Sequence, residues 1–313
     1  MDSGPPTIRY LRVSVTDRCN LRCPYCAPWR DRTSASRAEL LTLEEIDAAV
    51  REAASLGITK VRVTGGEPLA RADVGMLLAA LSSIDSLEDL ALTTNGTLLR
   101  ARLPDLLASR FRRVNVHLDT LDPARYQALC GVAALDEVVA GIDAAIDAGL
   151  RLKLNAVCES GLTLADARDL VRFAGQRGID VRFIEAMPVA GAGAGERETA
   201  GRIETGLRAE LGLVDEARDG VARMFAIPGT AARLGFITPS HARFCAGCDK
   251  LRLSCRGILR TCLFAGGGVD LLPSLRAGDL AATRAAFQDA MVRKAALGGR
   301  EGCEVSTMVG IGG

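Results

Sequence analysis

No run of this 313-residue sequence is apolar for the length a membrane span needs, and the opening MDSGPPTIRYLRV has no apolar segment of the signal-peptide kind. A cytoplasmic protein is expected, and there thiols stay reduced. An excess of either charge is lacking too. The formal net charge of +1 predicts no nucleic-acid footprint and no polybasic membrane surface, although local basic spots could still take a phosphorylated small molecule. With 48% hydrophobic and 25% charged residues, the composition is that of a soluble globular protein with a large core. Cysteine is plentiful at ten residues, and without a disulfide role they need another explanation. Six fall in two groups, Cys19, Cys23 and Cys26, then Cys245, Cys248 and Cys262. The first group has no fourth neighbour, and an incomplete cage suits a metal that must keep one position open. Cys130, Cys158 and Cys303 stand alone and read as buried small hydrophobes. Cys255 lies inside the second group and is ambiguous.

A unit recurs from residue 11 to about residue 187: a short β-branched run, a polar turn, then a helical pattern. The runs are LRVSVT (11–16), KVRVTGG (60–66), LALTTNG (90–96), RVNVHLD (113–119), RLKLNAV (151–157) and VRFIEAM (181–187). In the intervening TLEEIDAAVREAASLG, the residues Leu43, Ile46, Val50 and Ala53 share one helical face and Gly57 supplies a stop. Strands alternating with helices imply right-handed crossovers and a parallel sheet. Six units do not close an eight-stranded barrel, so an α/β fold in the form of an open, partial TIM-like barrel is expected; a doubly wound sheet has the same spacing. In barrels the chemistry sits at the C-terminal ends of the strands. Here those ends carry the cysteine loop, Gly65-Gly66-Glu67, Thr93, His117 with Asp119, and Met187. Beyond them PVAGAGAGERETAG is Gly/Ala-rich and expected to be mobile or ordered only with ligand, residues 201–243 alternate helical and strand-like pieces, 273–298 read as helix, and the tail MVGIGG is flexible by composition. One compact domain with a C-terminal extension fits this pattern.

The first group has the spacing C-x3-C-x2-C on a loop after the first strand. Thiolates are the usual ligands of iron–sulfur clusters, and a cubane normally takes four. Three leave one iron open to a chelating small molecule, which a closed structural zinc site would prevent. Zinc with a distant fourth ligand is the alternative. The segment CNLRCPYC, with an aromatic before the last cysteine, resembles the signature of the radical S-adenosylmethionine superfamily. That resemblance implies that S-adenosyl-L-methionine binds the open iron and that the reduced cluster releases a 5′-deoxyadenosyl radical. It also implies that Tyr25 packs near the adenine, that the strand end TGGEP brings Gly66 to the methionine moiety, and that His117 and Met187 contact the same cofactor. Glycine at that strand end has a physical reason, since only a bare backbone admits so close an approach.

The second group, C-x2-C-x13-C, commonly means structural zinc when it stands alone. Together with the first it resembles the GTP 3′,8-cyclase family of molybdenum cofactor biosynthesis, through RYLRVSVTDRCNLRC, VRVTGGEPL, LTTNG, VNVHLDTLDPARY, GIDAAIDAGL, RFIEAMP, GFITPSHARFCAGC, LRTCLF and the terminal IGG. The family implies a radical barrel over residues 1–187 and an extension over 188–313 with a second, auxiliary 4Fe-4S cluster and a Gly-Gly tail, Gly312-Gly313, that enters the site. The auxiliary cluster would bind the purine of GTP. Arg12, Arg62, Thr93, Lys153, Lys250, Leu251 and Arg252 would be the substrate contacts. Lys153 is informative without the family: in RLKLNAV, Arg151, Lys153 and Asn155 share one face and the leucines the other, and a cation inside a barrel needs an anionic partner. The implied reaction removes hydrogen from C3′ of the GTP ribose, joins C3′ to C8 of guanine, and after one-electron reduction gives 3′,8-cyclo-7,8-dihydro-GTP. The implied partners are cyclic pyranopterin monophosphate synthase downstream and an electron donor such as flavodoxin or ferredoxin, with room for a homodimer.

Three residues depart from the family pattern. His117 replaces a serine, Lys250 replaces the first arginine of an Arg-x-Arg pair and loses its planar fork, and Cys255 is extra. Were Cys255 to reach the second cluster it would close the open iron; the far side of its strand is expected instead. These departures keep open a radical S-adenosylmethionine enzyme acting on another nucleotide or a peptide; a non-catalytic zinc-binding interaction protein is a third reading, of another class.

Overall fold

The computed structural model describes residues 7–23, 26, 35–158, 162–186, 199–238, 248–263 and 267–296. All six β-branched runs are strands: β1 (Tyr10–Ser14), β2 (Lys60–Thr64), β3 (Asp89–Thr94), β4 (Arg113–His117), β5 (Arg151–Cys158) and β6 (Asp180–Glu185). Helices α1 (Leu43–Ser55), α2 (Val74–Ser82), α3 (Leu103–Leu107), α4 (Pro123–Cys130), α5 (Leu135–Asp147) and α6 (Leu164–Arg177) return the chain between them. Local chemistry sets these ends. Thr42 opens α1 with a capping box, its Oγ1 accepting from the Glu45 amide at 3.2 Å while Glu45 Oε2 accepts from the Thr42 amide at 2.8 Å. At the other end Gly57 takes φ +96°, and the amides of Gly57 and Ile58 satisfy the carbonyls of Ala54 and Ala53. The inward face of α1 holds Ile46, Ala49, Val50 and Ala53, all fully buried.

β1 to β6 pair in sequence order, each parallel to the next. A doubly wound sheet needs a reversal of strand order to place helices on both faces. Without one, right-handed crossovers put every helix on the same side, and the open partial barrel is the arrangement found. The chain after α7 (Thr199–Leu211) extends both edges. β7 (Val214–Asp219), β8 (Ala222–Ala226) and β9 (Arg233–Ile237) follow β6, with β9 parallel to it. β10 (Lys250–Leu253), β11 (Ile258–Arg260) and β12 (Val269–Asp270) lie beyond β1, with β10 parallel to it. The parallel run is therefore eight strands wide, flanked by antiparallel hairpins.

The stretch expected as helix over 273–298 is two helices, α8 (Leu272–Arg276) and α9 (Leu280–Ala296). Gly278 at φ +68° breaks it, and the Asp279 carboxylate restarts it by accepting the Ala282 amide at 2.9 Å. A Cβ at Gly278 would meet nothing within 4 Å, so only the left-handed backbone resists substitution. Gly278→Ala is expected to cost about 1 kcal/mol, read as a lowered denaturation midpoint.

Strand alternation divides the two faces. On β5 the side chains Leu152, Leu154, Ala156 and Cys158 are buried against the helices, while Arg151, Lys153 and Asn155 take the other face, as their spacing predicted. That second face positions the site.

Candidate functional site

Register brings distant cations side by side. Arg252, Arg12 and Arg62 are direct neighbours across β10, β1 and β2, and Arg260 on β11 pairs with Arg252. Further round, Thr93, Asn115 and Lys153 align across β3, β4 and β5, and Asn155 aligns with Arg182 of β6. Ladder partners share a face, so all of these project opposite to the buried Leu11, Val13, Val61 and Val63. Crowding has an electrostatic signature. Burial, with Arg252 and Arg62 adding repulsion, pushes the Arg12 guanidinium down to about 9. Burial lowers Arg252 as well, against the pull of Cys248 and Cys262, which sit near enough to favour its charge. An incoming polyanion relieves such a site. The Arg62 Nε donates to the Tyr10 hydroxyl, and the Lys250 ammonium lies 5.3 Å from the Tyr10 ring centroid. Leu251 differs from its neighbours: its side chain is fully buried in the core on the helix side, so any contact from this residue to the interior is a backbone one.

The anionic partner required by Lys153 is found within the chain. Its ammonium meets Asp219 Oδ2 at 2.7 Å and Asp180 Oδ2 at 3.6 Å, and Arg182 pairs with the same Asp219. Burial works against a charged Asp219, but Lys153 and Arg182 hold its carboxyl at about 2. Arg182 was not singled out from sequence, although its alternation in VRFIEAM matches that of Lys153. Gly235 on β9 gives it room, since a Cβ there would lie 3.1 Å from Arg182 Cγ. Among the described residues, the buried Thr93 Oγ1 has no hydrogen-bond partner.

The first cysteine loop follows β1 and is clamped by the ends of β2 and β3. The Gly66 amide donates to Thr16 O and the Glu67 amide to Arg18 O, both at 2.8 Å. A Cβ on Gly66 would lie 2.2 Å from Arg18 O, so the close approach this glycine permits is that of the chain's own cysteine loop. Glu67, fully buried, accepts from Leu69 N, Asn95 N and Thr94 Oγ1 at 2.9, 2.7 and 2.8 Å. Asn95, another residue the sequence reading passed over, directs Nδ2 at Asn20 Oδ1 (2.9 Å) and at Cys19 Sγ (3.7 Å), and the Leu21 amide donates to the same sulfur at 3.4 Å. Tertiary structure also supplies a neighbouring sulfur. Cys130 at the end of α4 hydrogen-bonds Cys23, and that bond together with burial pushes its thiol far up, so it stays protonated and donates to Cys23. His117 stands nearby with Nε2 2.9 Å from Asp119 Oδ2, while Asp119 Oδ1 accepts the Val157 amide at 2.8 Å. Burial opposes a charged imidazole, but Asp119 prevails and raises it to about 9. Cys19, Cys23 and Cys26 are thiols, not disulfides. Among the described residues, no three His, Cys, Asp or Glu side chains are grouped so as to hold a metal ion. A cubane asks less, taking each thiolate on a separate iron, and N–H groups aimed at Cys19 Sγ favour thiolate. The donor set fits such a cluster.

Cys248 and Cys262 of the second group lie at the opposite end of the strands. Cys248 precedes β10 by two residues and Cys262 follows β11 by two, at the end where β1 begins, whereas Cys19 comes after β1 has ended. Burial raises the Cys248 thiol, but Lys294, the Lys250 amide and Lys250 outweigh it and lower it. Cys255 sits in the turn beyond the far end of β10, buried, its carbonyl accepting from Leu41 N at 2.8 Å and its thiol pushed up to about 11 by burial. The length of β10 separates it from Cys248. The expected ligand Cys245, the expected cofactor contacts Tyr25 and Met187, and Cys303 with Gly312-Gly313 lie outside the described residues.

Two family models match the chain, the Radical SAM superfamily over residues 13–174 and Molybdenum Cofactor Synthesis C over residues 179–297. Among solved structures, Streptococcus suis SuiB bound to S-adenosylmethionine is similar in fold, with a TM-score of 0.67 at 16% identity over 86% of this chain and 64% of that one. The class is thus a radical S-adenosylmethionine protein with a cofactor-synthesis extension. A GTP 3′,8-cyclase of Rhodobacter capsulatus is 42% identical over 284 residues, 87% of this chain and 83% of that one. One of Bradyrhizobium diazoefficiens is 41% identical over 281 residues, 87% and 81% of the two chains. Within the superfamily, the chain belongs to the GTP 3′,8-cyclase family.

Proposed function

We infer that the chain converts GTP to 3′,8-cyclo-7,8-dihydro-GTP for molybdenum cofactor biosynthesis, as a lyase using two 4Fe-4S clusters and S-adenosyl-L-methionine. The observation that carries this reading is the row Arg252–Arg12–Arg62 on one face, between a cysteine group at each end of the strands. Cys19, Cys23 and Cys26 would hold the first cluster, and Cys245, Cys248 and Cys262 the second. Loaded, these cofactors supply the electron and the hydrogen-abstracting radical. The chain's task is placement. The arginine row with Lys250, Lys153 and Arg182 binds a triphosphate, guanidinium forks suiting phosphate oxygens. Thr93 Oγ1 meets the nucleotide, and Leu251 contributes backbone. Gly66, with Tyr25, His117 and Met187, shapes the S-adenosyl-L-methionine side. Residues 1–187 form the radical-generating unit and 188–313 the substrate-side extension, with Gly312-Gly313 reaching the site.

Triphosphate also has to displace Asp219 from Lys153 and Arg182. Arg182→Gln is expected to raise the KM for GTP at least tenfold, about 1.4 kcal/mol, with less effect on uncoupled 5′-deoxyadenosine formation. Equal loss of both would remove Arg182 from the substrate side. We place the enzyme in the cytoplasm, with no nucleic-acid or membrane partner. No helix among the described residues is long and apolar enough to cross a membrane. A flavodoxin- or ferredoxin-type donor, cyclic pyranopterin monophosphate synthase as the next enzyme, and a homodimer complete the reading. The deciding experiment is anaerobic incubation with reductant, S-adenosyl-L-methionine and GTP, analysed for the cyclised nucleotide. Formation of 5′-deoxyadenosine without GTP turnover would favour a different nucleotide or a peptide as substrate, and a colourless zinc protein would defeat the enzyme reading.

A further inference from the structure

Helix α9 buries one stripe: Thr283, Phe287 and Ala290 are 0 to 2% exposed, and the next position of the same stripe is Lys294, 4% exposed. A lysine where the periodicity calls for an apolar residue has its ammonium carried inward, away from water. Burying that charge is costly unless an anion answers it. The hydrogen bond it makes is to Cys248 Sγ at 3.3 Å. The Lys250 backbone amide is directed at the same sulfur. Two donors on one sulfur, one of them a cation, suit a thiolate and not a thiol.

We propose that Lys294 is a positioning residue of the second cysteine group: its ammonium orients the Cys248 sulfur for iron and raises the reduction potential of the cluster held there. The inference rests on the reading of Cys245, Cys248 and Cys262 as cluster ligands. Its physical basis is that hydrogen bonds to the sulfurs and the local net charge set cluster potentials. A donor on Cys248 withdraws electron density from the Fe–S bond, and a buried positive charge favours the reduced, more negative state. Lys294 itself neither binds substrate nor ligates iron.

The test uses the full chain, reconstituted anaerobically, in a Cys19→Ala, Cys23→Ala, Cys26→Ala background that leaves only the second cluster. Iron and sulfide are counted, and the reduced fraction is followed by electron paramagnetic resonance during a redox titration. Lys294→Met keeps the volume and removes the charge, a swap that cores tolerate. At a fixed solution potential its reduced-to-oxidised ratio is expected to fall about tenfold, equivalent to about 59 mV for a one-electron couple, and Lys294→Arg is expected to restore most of the ratio. Loss of iron in Lys294→Met, with helix content kept and iron regained in Lys294→Arg, supports the orienting role. An unchanged potential at full iron content overturns the proposal. If the background variant with Lys294 intact binds no iron, the reading of the second group fails and takes this inference with it. Should Lys294→Met not fold, Lys294→Gln replaces it, with the same ratio read.

Discussion

Replacing Cys23 with alanine is expected to reduce 5′-deoxyadenosine formation to background, whatever the substrate present. With three thiolates, removal of one leaves two for the cube and a second open iron, so cluster retention and the single chelation site are lost together. Cys19→Ala and Cys26→Ala should behave alike. Cys130 is not expected to rescue them, because its thiol is buried at the end of α4. Cys245→Ala and Cys248→Ala should act differently. Cys248 and Cys262 lie at the other end of the strands, so uncoupled cofactor cleavage should survive better than formation of cyclised nucleotide. Parallel assays of 5′-deoxyadenosine and product on the same preparations check the contrast. Equal loss of both activities in the second-group variants would leave that group a structural role only.

Glu67→Ala is expected to destabilise the protein by about 4 kcal/mol, since it strands two buried amides and one buried hydroxyl at about 1–3 kcal/mol each. The carboxylate ties Leu69, Thr94 and Asn95 together, and Asn95 in turn reaches Cys19. Its loss should therefore loosen the cysteine loop and lower iron content after reconstitution. The pH dependence has a definite sign. Burial raises Glu67 from 4.5 to about 7 despite those three hydrogen bonds. A carboxyl whose folded value is raised contributes stability that is fully present below about 4.5 and is lost as pH rises through about 7. The span corresponds to about 3 kcal/mol. Denaturant midpoints of the wild type and Glu67→Gln, taken from pH 4.5 to 7.5, should show the slope in the wild type and its absence in the variant.

The six strands and α1 were legible because period-2 and period-3.6 patterns and the stop at Gly57 are local. The helix expected over 273–298 was misread because its periodicity runs on through Gly278 while the backbone there turns left-handed. Glycine at 65–66 was read as space for a ligand; the need for Gly66 is set first by Arg18 and Cys19 of the same chain. Leu251, grouped with its charged neighbours from sequence, turns to the opposite face because alternation along β10 leaves it no other. Asn95 and Arg182 lie within the quoted segments LTTNG and RFIEAMP and Lys294 lies in none, yet for all three only burial and partners single out the side chain.

Sequence alone determined which atoms are available: two incomplete thiol sets, the alternation that puts Lys153 opposite its leucines, and enough βα units for an open barrel. Those follow from residue type and short-range spacing. Tertiary structure alone decided that Arg252 and Arg12, separated by most of the chain, stand in one register, that Asp219 answers Lys153, and that Lys294 reaches Cys248. Such pairings depend on strand order and on which helix face is buried, and these are settled only when the whole sheet closes around its core.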